Sequence, residues 1–155
     1  MAVTRISHVS VRAVDLEKSV SFYQQLLGAT RLATPNFGFP TAWLQLGATQ
    51  LHLFQRGEGW DREAHFALEV DTFEDIYRKA KAMAVFDESR GYHLFEISNH
   101  EVQLYVRDPA KNLIEVDWPD VRTLAADVRA DVRQRFANLA QTGEAAKGTL
   151  FTGKG

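Results

Sequence analysis

Apolar and polar positions along the chain follow two periods that take turns. Residues 6–11, ISHVSV, alternate with a period of two, the pattern of a half-buried strand. Residues 15–28 follow at helical spacing, with Val20, Tyr23, Leu26 and Leu27 along one side. Asp15 has the side chain of an N-cap, and Gly28 suits the left-handed residue that closes a helix. Turn-rich residues around Pro35 to Pro40 lead into two strand candidates, AWLQLG (42–47) and TQLHLFQ (49–55). QRGEGWDREA (55–64) has the glycine and charge of a surface linker.

The pattern then restarts. AHFALEV (64–70) is predicted as a strand, and DTFEDIYRKAKAMA (71–84) as a helix whose Thr72 and Asp75 resemble a capping box. GYHLFEISN, HEVQLYVRDP and NLIEVDW supply three more strand candidates ending at Trp118. Strand, helix and strands thus occur twice, over about residues 1–56 and 64–118, which predicts one α+β domain built from two modules. His8 opens the first copy and His65 the second, while His52 and Glu115 occupy matching places in the closing strands. From Pro119 to residue 155 the reading is a C-terminal extension. In it Leu124, Val128, Val132, Phe136 and Leu139 form one apolar helical stripe, followed by a loosely held tail in which Leu150 and Phe151 could dock.

Composition narrows the function classes. A chain of 155 residues that is 45% hydrophobic can bury the core of a single domain. A net charge of −2 provides no basic field for nucleic acid or anionic membranes. No apolar run approaches the roughly 20 residues of a membrane span. The N-terminal residues lack the apolar core of a signal peptide, so a cytoplasmic protein is expected. With no cysteine, disulfides, thiolate metal sites and cysteine nucleophiles are excluded.

Period two also assigns faces. His8 shares a side with Ser10, His52 with Gln50 and Phe54, His65 with Ala67, and Glu115 with Leu113 and Asp117. The opposite sides are apolar and should pack on the helices, leaving the imidazoles and the carboxylate on a concave polar face. Glu115 interrupts a strand that otherwise reads as buried, and a carboxylate taken out of water costs several kcal/mol unless a cation or hydrogen bonds compensate. A lone strand histidine is more often a hydrogen-bonded structural residue, and Glu115 could pair with Arg107 or Arg12. Four such residues at repeat-related places point instead to a divalent metal held by His8, His52, His65 and Glu115. Ser10, Gln50 and Phe54 then become candidate substrate contacts.

HVSVRAVDLEKSVSFYQQLLG (8–28), HFALEV (65–70) and YVRDPAKNLIEV (105–116) together resemble the vicinal oxygen chelate superfamily, which includes glyoxalase I, fosfomycin-resistance thiol transferases, extradiol dioxygenases and bleomycin-resistance proteins. The resemblance spans roughly residues 5–118. It implies a pair of βαβββ modules forming a cupped mixed sheet around one divalent ion (Zn, Ni, Mn or Fe), with His8, His65 and Glu115 as ligands. His52 falls where glyoxalase I supplies a glutamate, which keeps a ligand and removes a catalytic base. Tyr105 matches a tyrosine that touches substrate in dioxygenases and fosfomycin-resistance enzymes, and His100 resembles a dioxygenase residue. In the turn Asp108-Pro109-Ala110-Lys111-Asn112, lysine replaces the family's glycine, and Asn112 is expected to take the left-handed conformation instead. Family members commonly pair modules across subunits, so a homodimer is expected.

Three functions follow from this resemblance. The first is a metal-dependent lyase or isomerase of glyoxalase type acting on a small oxygen-chelating substrate. The second is an Fe(II) extradiol dioxygenase, toward which Tyr105 and His100 lean. The third is a metal-free drug-binding protein, ranked last because the ligand set is complete.

Overall fold

A computed structural model describes residues 6, 8–59, 64–143 and 145–151. Parts of the linker and tail readings, residues 60–63 and 152–155, lie outside the described residues. The architecture is α+β, with one mixed sheet of four strands and another of five. The chain divides into two compact units: Met1–Phe66 with Arg107–Leu113, and Ala67–Val106 with Ile114–Gly155.

In the first unit, β1 (His8–Ala13) leads into α1 (Leu16–Leu27), then β2 (Thr30–Leu32), β3 (Thr41–Leu46) and β4 (Thr49–Gln55). The sheet order is β1-β4-β3-β2, with β1 parallel to β4 and the other pairs antiparallel. Both expected caps of α1 form. Asp15 accepts from the Lys18 N–H at 3.1 Å, and Gly28 sits at φ 66° with its N–H turned back to the last carbonyls. The apolar side of α1 (Val20, Tyr23, Leu26) and the inward side of the sheet (Ala42, Leu44, Leu51, Leu53) make a fully buried core. β2 was not expected, because TRL is too short to show a period and is a strand only through its pairing with β3.

The hairpin turn after Arg107 is built on Asp108. Its carboxylate accepts from Tyr23 Oη at 2.8 Å, from the Ala110 and Asn112 N–H groups at 2.9 and 2.8 Å, and from Asn112 Nδ2 at 2.6 Å. Lys111 itself takes the left-handed conformation at φ 66°, which corrects the expectation for Asn112. Asn112 is instead occupied with Asp108 and with the Arg12 carbonyl at 2.6 Å.

The chain continues with β5 (His65–Glu69), α2 (Phe73–Met83), β6 (Leu94–Glu96), β7 (Val102–Arg107) and β8 (Leu113–Trp118), most of whose residues belong to the second unit. Thr72 occupies the N-cap of α2 but its side chain makes no capping bond, so the expected box is incomplete. After Trp118 the long apolar stripe does not form one helix. α3 covers only Ala126–Asp131, and β9 (Arg133–Gln134) then pairs parallel with β6, giving the order β5-β8-β7-β6-β9. Leu124 and Val128 are buried within this unit, while Leu139 is 63% exposed. The stripe breaks because Asp131 is drawn to Tyr77, Tyr92 and His93, and the backbone beyond it to the free edge of β6.

Candidate functional site

β1 and β4 set His8 opposite Gln50 and Ser10 opposite His52. The His52 ring is buried between Trp43, stacked at 4.2 Å and 6°, and His8, stacked at 4.3 Å and 14°. Its Nε2 lies 2.9 Å from Gln50 Oε1. A carbonyl oxygen only accepts, so Nε2 carries the proton and Nδ1 the lone pair. Burial, then the neighbouring His8, holds the His52 imidazole below its ordinary value, in the neutral form a metal requires.

Beside this pair, still within the first unit, is a mostly apolar cavity of about 830 Å³. Ser10, Arg12, Phe39, Phe54, Arg56 and His65 are among its lining residues. Two of the expected substrate contacts, Ser10 and Phe54, thus line it, whereas Gln50 is engaged by His52.

In the second unit, Glu115 is 3% exposed and accepts from Gln103 Nε2 at 2.7 Å. The Tyr105 hydroxyl also bonds to it, and burial followed by this bond pushes the phenol well above its ordinary value, so Tyr105 remains a donor. Asp117, 4% exposed, shares the face of Glu115. Burial first, then the charge of Glu115, pushes its carboxyl up to about 8. Asp117 Oδ1 is buried without a hydrogen-bond partner among the described residues. The guanidiniums of Arg90 and Arg135 lie over the Tyr105 ring at 4.7 and 6.0 Å. His100, at φ 66° and half exposed, bonds to Glu96 Oε1 at 2.9 Å.

Among the described residues no three His, Asp or Glu side chains are gathered as a metal-binding group. The donors nevertheless fit a divalent ion in kind. A neutral imidazole has one nitrogen oriented by a neighbour, and a buried acid pair includes an orphaned oxygen. From sequence, Asp117 falls on the Glu115 face with no role of its own, Arg12 enters only as a possible partner of Glu115, and Arg56 has no role; both arginines line the cavity. Continuing the period of two from Ser10 and from Phe54 reaches both arginines.

A family model described as the Glyoxalase/Bleomycin resistance protein/Dioxygenase superfamily matches residues 5–116. Among solved structures, a lactoylglutathione lyase from Agrobacterium tumefaciens is 22% identical, with a TM-score of 0.61 over 76% of this chain and 95% of that one. A glyoxalase/bleomycin resistance protein/dioxygenase from Alicyclobacillus acidocaldarius is 25% identical, with a TM-score of 0.56 over 78% and 96%. The fosfomycin resistance protein FosX from Mesorhizobium loti is 14% identical, with a TM-score of 0.58 over 83% and 98%. Among curated protein sequences there is no significant match.

Proposed function

This chain belongs to the glyoxalase/bleomycin resistance protein/dioxygenase superfamily, and from that membership we propose that it is a divalent-metal-dependent lyase or isomerase acting on a small oxygen-chelating substrate. The observation that carries the reading is the buried carboxyl pair Glu115 and Asp117, with one Asp117 oxygen unpartnered among the described residues, a setting that a cation would stabilise. His8, His65 and Glu115 would hold the ion, with His52 as fourth ligand through Nδ1. The ion would supply Lewis acidity toward adjacent substrate oxygens.

Each neighbouring side chain then has a definite task. Gln50 keeps His52 in one tautomer, and Trp43 keeps its ring in place. Gln103 and Tyr105 donate to Glu115 and orient it. Tyr105 does not serve as a base, because its phenol stays protonated at neutral pH. The ring-cleaving alternative leaned on His100 acting with Tyr105, and His100 is turned to Glu96 at the surface. No helix among the described residues is long and apolar enough to cross a membrane. A homodimer remains the expectation from the family, and sedimentation would test it.

Titration of metal-free protein with Mn(II), followed calorimetrically, tests the proposal. About one ion per chain should bind, and Glu115→Ala and His65→Ala should each weaken binding by at least about tenfold, the usual penalty for losing a ligand or its support. No binding by the parent protein, or binding indifferent to both substitutions, would sink it.

A further inference from the structure

The cavity of the first unit has two kinds of wall. Phe39, Phe54, Phe66 and Leu113 make most of it apolar, while Arg12 and Arg56 bring positive charge to it, with no acidic residue among the described lining residues. Arg12 stands opposite Phe54 in the β1–β4 register, and Arg56 follows just past the end of β4, so neighbouring chain segments bring both arginines to the cavity. Among the described residues neither has a carboxylate partner. This contrasts with Arg31, Arg78 and Arg122, each paired with a carboxylate. Arg56 is held against the wall by Phe39, its guanidinium 3.9 Å above the ring.

We infer that this cavity binds a small oxyanion carried on a flat apolar body. The anionic oxygens meet Arg12 and Arg56, and the body lies against Phe39 and Phe54. The physical reason is one of matching. A cavity of about 830 Å³ accommodates a molecule of metabolite size. Guanidiniums without carboxylate partners favour an anion through charge-assisted hydrogen bonds that a neutral analogue does not form. An anion without an apolar body leaves the aromatic wall in water. Ser10 adds a hydroxyl on the same side. His65 lines the cavity too, so this inference rests on the proposed reading of the chain as a small-molecule enzyme and gives its substrate a chemical class.

Calorimetric or NMR titration of the intact chain with benzoate, phenyl phosphate, benzyl alcohol and acetate tests it, with and without Mn(II). Benzoate or phenyl phosphate should bind at least about tenfold more tightly than benzyl alcohol or acetate, the range expected for hydrogen bonds to charged groups. The tighter of the two anions identifies carboxylate or phosphate as the preferred group. Arg12→Gln and Arg56→Gln should each remove about tenfold of the anion affinity and leave benzyl alcohol unchanged. Phe54→Ala should weaken every aromatic probe. Where a variant does not fold, the parent protein still decides, since added salt should weaken benzoate and not benzyl alcohol. Equal binding of benzoate and benzyl alcohol, or anion affinity indifferent to both arginines, overturns the inference. Loss of anion binding in the arginine variants with Mn(II) binding intact separates this site from the metal. Anion binding in a protein that takes up no Mn(II) removes the metal reading alone.

Discussion

Asp117 shows how a single buried residue couples the candidate site to stability. Its folded-state carboxyl, pushed to about 8 by burial and by Glu115, stands above the ordinary value of 3.8. Between those two values the folded chain binds a proton that the unfolded chain has released. Stability in the absence of metal is therefore complete at the acid end of that window and is lost as pH rises through it. In urea melts of metal-free protein from about pH 5 to pH 8, the parent should lose stability with rising pH. Asp117→Asn, which keeps the shape without the charge, should flatten that slope. Parallel slopes for the two proteins would mean that Asp117 ionises freely. Divalent metal should reduce the slope in the parent if the acid pair faces a cation.

At the scale of the element, the two helices end alike with different residues. α1 closes on Gly28 at φ 66°, and α2 closes on Ala84 at φ 55°, each with its N–H returned to carbonyls of the last turn. Alanine in that conformation carries a steric penalty from its Cβ that glycine lacks, offset in part by glycine's greater freedom when unfolded. Ala84→Gly should therefore stabilise the protein by about 0.5–1 kcal/mol, and Gly28→Ala should destabilise it by about 1 kcal/mol. Opposite shifts in the denaturation midpoint check both. Any loss of stability in Ala84→Gly contradicts the cap geometry.

For the molecule as a whole, described residues beyond Trp118 are bound into the second unit. Asp131 accepts from Tyr77, Tyr92 and His93, Glu74 Oε1 receives the Ala125 N–H at 2.8 Å, and β9 lies along β6. Glu101 holds Leu150 through its N–H at 2.9 Å and also receives the Thr149 hydroxyl. Asp131→Ala leaves three donors without their acceptor and should cost about 1–3 kcal/mol, moderated by the partial exposure of the carboxylate. Hydrogen exchange should show faster exchange in β9 and the facing edge of β6, with α1 unchanged. Uniform acceleration throughout would instead mean that Asp131 acts on global stability alone.

Much of this protein was determined by local pattern. Period two in ISHVSV, TQLHLFQ and NLIEVDW records which side chains share a face, and a strand keeps that alternation whatever it packs against. Hence the duplication, the α+β class and the common side of Glu115 and Asp117 were legible, as were the Asp15 and Gly28 caps, whose partners lie within one turn. The remainder depended on partners distant in sequence. β2 and β9 exist because β3 and β6 had free edges, and neither TRL nor RQ carries a period of its own. The apolar spacing from Leu124 to Leu139 favoured one helix until Asp131 met two tyrosines and a histidine from elsewhere in the fold. The His52 tautomer was decided by Gln50 and its ring plane by Trp43 and His8. Arg12 and Arg56 became charges on a cavity wall only when β1 and β4 paired. Backbone conformation is written in neighbouring residues, whereas burial, ring orientation and proton affinity are set by whatever the fold brings alongside.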